Sequence, residues 1–149
     1  MFGFKLGRAL KVCGLQIKAS EAILVIVEEV SGAPSLVACK TKRLILKNHE
    51  DSAELESFLQ AAKSFVHENA IEAIAVKKRA GSGAMASSGV TFKIEALFQL
   101  AHKNMAFISP QAISSFSKTN AGGIPGEVAA YQKDAYLSAG VYLKAAGLI

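Results

Sequence analysis

The order of extended and helical patterns along the chain constrains its fold more than any other sequence feature. Three apolar, extended runs come first, and helical and extended segments then alternate. The three runs are Lys11 to Ile17, Ala22 to Val30 and Leu36 to Leu46. Short turns between them favour antiparallel pairing, whereas the helices between later strands favour parallel crossovers. The order predicts an α/β fold: a five-stranded mixed sheet, with its first three strands antiparallel, flanked by helices.

The second half of the chain supplies the helices. Asp51 and Glu54 have the spacing of a capping box, which predicts a helix of about five turns after them. The pattern then predicts a strand at Ile71 to Val76, a helix beginning near Val90, a strand at Met105 to Ile108, a short helix from Ser109-Pro110, and a last helix from Glu127 to about Ala146. We interpret residues 77–89, which are basic at first and then small, as a functional loop.

Length and charge define the class of protein. The 149 residues suit a single domain, which we place at residues 11–149 behind an N-terminal arm of residues 1–10. No apolar run reaches the roughly 20 residues needed to cross a bilayer, and the N-terminus lacks the features of a secretory signal. We therefore expect a cytoplasmic protein with no membrane partner. Lys and Arg outnumber Asp and Glu by 17 to 12, which favours nucleic acid or another polyanion as partner.

The cysteines and histidines do not form a ligand pattern. Cys13 and Cys39 fall on the first and third predicted strands, which the second strand separates, so we expect free thiols. His49, His67 and His102 are scattered along the chain. The sequence therefore predicts no structural metal and no cofactor.

A run of cations ends the fourth strand of the predicted order. Lys77, Lys78 and Arg79 precede a Gly/Ser-rich segment that leads into a helix N-terminus. Ligands of open α/β sheets usually bind at the carboxyl ends of the strands, and free N–H groups at a helix start attract anions. Lys18 ends the first strand, and Lys93 lies one turn into the helix. The sequence thus predicts that these five cations bind phosphate or nucleic acid; a solvated loop start is the alternative.

Two segments carry a resemblance to a known family. Cys13-Gly-Leu-Gln-Ile-Lys18 and Val90-Thr-Phe-Lys-Ile-Glu-Ala96 resemble an uncharacterised bacterial family of RuvC-like proteins in the ribonuclease-H-like superfamily. The resemblance runs from about residue 11 to the C-terminus and implies a ribonuclease-H-like fold. Enzymes of that fold carry carboxylates on the first strand, after the fourth strand and on the last helix. This chain has Gln16 and Lys78 where members of the family often carry Glu, which leaves Asp134 on the last helix.

Gln16 and Lys78 determine whether the chain can form a two-metal site. Two-metal hydrolysis needs several carboxylates around ions about 4 Å apart, whereas Gln16 offers a neutral carbonyl and Lys77 and Lys78 repel cations. We interpret the chain as a degenerate RuvC-like protein without a complete metal site, which binds nucleic acid or another phosphate-bearing ligand. One alternative is a metal-dependent nuclease with a rearranged magnesium site, in which Asp134 and Glu127 share one face of the last helix. Another is a protein-interaction or scaffold domain, for which a homodimer is one arrangement.

Overall fold

A computed structural model describes residues 10–79, 89–120 and 122–149 of the chain. Its strands are β1 (Lys11–Lys18), β2 (Glu21–Val30), β3 (Ala33–Val37), β4 (Arg43–Ile45), β5 (Ala73–Lys77) and β6 (Met105–Ile108). Its helices are α1 (Ser52–Glu68), α2 (Gly89–Ala101), α3 (Pro110–Thr119) and α4 (Lys133–Ala145), and a short 3-10 helix at Ala130–Gln132 precedes α4. Most of the predicted N-terminal arm and of the predicted functional loop lies outside the described residues.

The strands form one mixed sheet in the order β3-β2-β1-β5-β6, with β4 also paired to β2. β1 and β2 are antiparallel over their whole overlap, from Lys11 opposite Glu28 to Lys18 opposite Glu21. β1 pairs with β5, and β5 with β6, in parallel. The prediction of a mixed α/β sheet that begins with antiparallel strands is confirmed.

The third predicted strand is divided in two. β3 pairs with the far end of β2, at Ile26 to Val30, whereas β4 pairs with its beginning, at Glu21 to Ile23. Between them the chain leaves the regular ladder, and the Leu24 amide donates to the carbonyl oxygen of Lys42 at 2.9 Å. β3 and β4 therefore share one edge of β2, and the described sheet has six strands rather than five.

Side-chain alternation along β1 divides the core into two layers. Cys13, Leu15 and Ile17 pack against α1 and α2, where the rings of Phe58 and Phe98 meet edge to face at 5.8 Å. The opposite face packs against α3 and α4 through a layer that includes Val12, Ala73, Ala75, Phe116, Tyr136 and Leu143. The sheet is thus covered on both faces, and α2 and α4 lie on opposite sides of it.

Both cysteines are free thiols, as the sequence predicts. Cys13 is fully buried, and its burial, followed by the repulsive effect of Cys39, raises the pKa of its thiol. Cys13 therefore acts as a small apolar core residue at neutral pH. Within the described ranges, every helix is too short or too polar to cross a lipid bilayer.

Local signals determine the start of two helices. Asp51 and Ser109 cap α1 and α3, because their side chains accept hydrogen bonds from Ala53 N at 2.9 Å and Ala112 N at 3.1 Å. The prediction that the last helix begins at Glu127 is wrong: α4 begins at Lys133, and Glu127 is exposed in the preceding loop. The buried Gln132 side chain accepts from Ala129 N at 3.0 Å, which starts a 3-10 turn and delays the α-helix.

A close approach between β1 and α4 determines where that helix lies. A Cβ atom added at Gly14 would lie 1.9 Å from the carbonyl oxygen of Ala135. Only glycine permits this separation, because the obstructing atom belongs to a helix backbone that cannot rotate away. The first turn of α4 is therefore held directly over the middle of β1.

This contact predicts that Gly14→Ala destabilises the protein. The new methyl group must push α4 away from the sheet, so the free energy of unfolding should fall by about 1–3 kcal/mol or more. Urea unfolding followed by circular dichroism measures the loss. Gly126→Ala is the matched control, because a Cβ at that position meets nothing within 4 Å, and it should change stability by no more than about 0.5 kcal/mol. Equal stability of both variants would contradict the close approach.

Candidate functional site

Three elements bring polar side chains together at the carboxyl edge of the sheet. Leu15 lies beside Val76 in the parallel register of β1 and β5, so Gln16 and Lys77 follow at neighbouring positions. Alternation directs both toward α4, since Gly14 contacts that helix and Ala75 belongs to the same core layer. Asp134 lies in the first turn of α4. The carboxyl edge thus contains an amide, an ammonium and a carboxylate.

An ion pair occupies this position. Lys77 Nζ donates to Asp134 Oδ2 at 2.6 Å, and the two side chains are 30% and 31% exposed. A hydrogen bond of this length between charged groups is of the strong, charge-assisted kind. The ammonium neutralises the last of the three carboxylate positions that the sequence resemblance implies.

The donor set does not fit a two-metal centre. Divalent magnesium or manganese requires several anionic oxygen ligands, and here Gln16 is neutral while Asp134 is bound to Lys77. Among the described residues, no three His, Cys, Asp or Glu side chains are grouped so that they could hold a metal ion. The positive charge beside Asp134 comes from the ammonium group of Lys77.

Arg79 lies on the other side of the sheet. Its guanidinium donates to both carboxylate oxygens of Glu95, at 2.6 and 3.2 Å, and both side chains are largely buried. It also lies 4.0 Å above the ring of Phe92 and 3.4 Å from Thr91 Oγ1. Arg79 thereby joins the end of β5 to α2. Sequence reasoning missed Glu95, although it lies within the second segment that carries the family resemblance.

Of the other predicted cations, one contacts the protein itself and two are exposed at the carboxyl edge. Lys93 Nζ donates to the carbonyl oxygen of His49 at 2.7 Å and so joins α2 to the segment before α1. Lys18 and Lys78 are exposed at the carboxyl ends of the neighbouring strands β1 and β5. The structure therefore brings Lys18, Lys77 and Lys78 to one edge, which we call the edge cluster, and uses Arg79 and Lys93 to hold α2.

Glu127 does not join Asp134. It lies in a groove of about 570 Å³ at the edge of β2, together with Lys42 and Gln132. Asp134 lines a separate cleft of about 350 Å³ between α3 and α4. The two carboxylates that the rearranged nuclease site requires are thus in different depressions of the surface.

The cleft between α3 and α4 contains cations that sequence reasoning missed. Lys118 and Lys133 line it with Lys77 and Asp134, and Ser114 and Ser117 add hydroxyl groups. No local sequence pattern predicts that these side chains lie together, because their proximity depends on how α3 packs against α4. That packing relies on Gly140, where an added Cβ would lie 2.4 Å from the ring of Phe116. Chemically, the cleft and the edge cluster are suited to binding anions.

Solved structures share the fold of this chain. The Thermus thermophilus RuvC structure superposes with a TM-score of 0.71 at 11% identity, over 93% of this chain and 98% of that chain. Thermus thermophilus RuvC in complex with Holliday junction substrate gives a TM-score of 0.68 at 11% identity, over 93% and 97% of the two chains. The predicted ribonuclease-H-like fold is confirmed.

A viral protein has a more distant likeness. The Fowlpox virus resolvase, solved in complex with Holliday junction DNA, gives a TM-score of 0.53 at 11% identity and covers 92% of this chain and 99% of its own. Among curated proteins, none matches the sequence significantly.

The sequence itself determines the family. Residues 10–142 match a family profile, and that span contains Gln16, Lys77 and Asp134. The predicted resemblance to an uncharacterised RuvC-like family is confirmed, while bacterial origin stays a prediction. The chain belongs to the family described as "Protein of unknown function (DUF3010)".

Proposed function

We propose that this protein has a nuclease fold without a complete metal site and binds nucleic acid at the carboxyl edge of its sheet. The observation that carries the proposal is the ion pair between Lys77 and Asp134, at 2.6 Å. Lys77 occupies Asp134 Oδ2, and a divalent ion at this carboxylate would lie beside the positive charge of that ammonium. The amide of Gln16 cannot replace the missing anionic ligand.

The edge cluster supports a polyanion as the ligand. Lys18 and Lys78 are exposed, and neither side chain has an ion-pair partner in the described part of the chain. Lys77 is neutralised by Asp134, so Lys18 and Lys78 supply the positive charge of the edge cluster. The net charge of +5 acts in the same direction. Arg79 and Lys93 support this surface indirectly, through α2.

Nucleic acid is favoured over other polyanions because two proteins of similar fold were solved in complex with DNA. Thermus thermophilus RuvC and the Fowlpox virus resolvase were both solved with Holliday junction DNA, and both cover most of this chain. The rearranged nuclease with Asp134 and Glu127 as magnesium ligands is disfavoured, because these carboxylates line different depressions. The scaffold alternative, the homodimeric state and the cytoplasmic location stay predictions.

We predict that the protein does not cleave nucleic acid with divalent metal. Its donor set cannot hold two ions, so incubation with single-stranded, duplex and branched substrates in magnesium or manganese should give no products above background. Gel electrophoresis of labelled substrates measures this. Asp134→Asn is the control for a contaminating nuclease, whose activity it would leave unchanged. Cleavage that disappears in Asp134→Asn would overturn the proposal.

We also predict binding that weakens steeply with salt. Each phosphate contact releases condensed counterions, with a log–log slope of about −0.7 per contact for single strands or about −0.9 for duplex. Lys18→Ala combined with Lys78→Ala should weaken binding and flatten this slope by roughly one to two units. Fluorescence anisotropy with labelled oligonucleotides across a salt series measures both quantities.

A matched variant controls for net charge in that experiment. Lys63 on α1 and Lys103, just before the amino end of β6, are exposed cations away from the carboxyl edge. Lys63→Ala with Lys103→Ala removes the same charge and should leave the slope nearly unchanged. Equal slopes for the two double variants, or no binding by the parent protein at low salt, would show that the edge cluster is merely solvated.

A further inference from the structure

The cleft between α3 and α4 has the size and position of a ligand site beside the edge cluster. Its volume of about 350 Å³ is near the lower end of small-ligand pockets, roughly 300 to 1,000 Å³. Lys77 lines the cleft and also belongs to the edge cluster, so the two surfaces are continuous. A cleft of this size suits one phosphate with its sugar rather than a longer stretch of strand.

The charges in the cleft match a dianion. Three ammonium groups face one carboxylate, and the pair between Lys77 and Asp134 is internally neutral. Lys118 and Lys133 are exposed, and neither side chain forms an ion pair within the described residues. The excess charge is therefore about +2. A phosphate monoester carries about −1.5 to −2 at neutral pH, whereas an internal phosphodiester carries about −1.

Two hydroxyl groups complete the donor set. Ser114 and Ser117 are three residues apart on α3 and so lie on one face of that helix. Neighbouring serines serve the fold: Ser109 Oγ accepts from the Ala112 amide, and Ser138 Oγ donates to the Asp134 carbonyl oxygen at 2.8 Å. Ser114 and Ser117 form no such bond within the described ranges. Two ammonium groups and two hydroxyls can together serve the three oxygens of a monoester.

We propose that this cleft binds a phosphate monoester, and that the natural source of this group is the phosphorylated end of a nucleic-acid strand. The inference deepens the proposed function and rests on it for the identity of the source. The edge cluster would hold the phosphodiester backbone, while Lys118, Lys133, Ser114 and Ser117 hold the terminal phosphate. The protein would then bind strand ends in preference to continuous strands.

Oligonucleotides that differ only at their ends test the inference. One sequence is prepared with a 5′-phosphate, with a 3′-phosphate, and with hydroxyls at both ends, and its affinity is measured by fluorescence anisotropy with an internal label. We expect one phosphorylated form to bind about tenfold more tightly than the hydroxyl form, the effect of one charge-assisted hydrogen bond. Lys118→Ala with Lys133→Ala should abolish this preference, and Ser114→Ala with Ser117→Ala should reduce it.

The controls separate this inference from the proposed function. Lys63→Ala with Lys103→Ala removes the same charge elsewhere and should keep the preference for a phosphorylated end. Equal binding of all three oligonucleotides by the parent protein would overturn the cleft inference and leave the proposed function intact. Loss of the preference in the control variant as well would show a general charge effect and would also overturn it.

A nucleoside 5′-monophosphate distinguishes the source of the phosphate. If no oligonucleotide binds at low salt, the proposed function fails. Calorimetric titration with the mononucleotide then tests whether the cleft binds a phosphate monoester. Binding that is lost in Lys118→Ala with Lys133→Ala would support the cleft as a monoester site for a free nucleotide. No binding in that titration would overturn the cleft inference together with the proposed function.

Discussion

The contact between Gly14 and the backbone of Ala135 determines where α4, and with it Asp134, lies relative to the carboxyl edge of the sheet. With no side chain at Gly14, α4 can lie so close to β1 that an added Cβ would be 1.9 Å from a helix carbonyl oxygen. Asp134 immediately precedes Ala135, so this contact delivers its carboxylate to the end of β5. There it meets Lys77 at 2.6 Å. A larger residue at position 14 would move the helix and the ion pair together.

The proposed replacement of a metal ion by an ammonium would change what the edge of the sheet can bind. A cluster of carboxylates is strongly negative, and bound divalent ions offset that charge where phosphates approach. Lys77 neutralises Asp134 without an ion from solution. Lys18 and Lys78 then give the edge a positive charge, and Lys118 and Lys133 extend it into the cleft between α3 and α4. In the proposed function, such a surface favours binding over hydrolysis.

The fold was predictable because its signals are local. Alternation in β1, the nearly continuous apolar run of β2, and the caps at Asp51 and Ser109 act over a few residues and are visible in the sequence. The division of the third strand was not visible, since it depends on which part of β2 each piece pairs with. The late start of α4 was missed for a similar reason. It depends on Gln132, whose side chain reaches Leu24 across the fold, 108 residues away.

The contacts of the candidate site were also not predictable, because they join residues that are distant in the sequence. Sequence reasoning identified Lys77, Arg79 and Asp134 as important but could not assign their partners. Lys77 and Asp134 are 57 residues apart; alternation along β5 directs Lys77 toward α4, whereas Arg79 lies beyond the end of that strand and turns to α2. Arg79 and Glu95 are 16 residues apart and meet because α2 packs on the opposite face. The chemistry of each residue could be read from the sequence, whereas its partner required the packing of the helices.

Titration of the protein with Mn²⁺, followed by electron paramagnetic resonance of the free ion, tests most directly whether Lys77 has replaced the metal. The unaltered protein should leave the signal of free Mn²⁺ unchanged at roughly millimolar ion, because Asp134 is bound to Lys77 and its neighbour Gln16 is neutral. The Gln16→Asp/Lys77→Glu variant adds two carboxylates beside Asp134 and should reduce the signal in proportion to protein. Stoichiometric Mn²⁺ binding by the unaltered protein that is lost in Asp134→Asn would contradict the account.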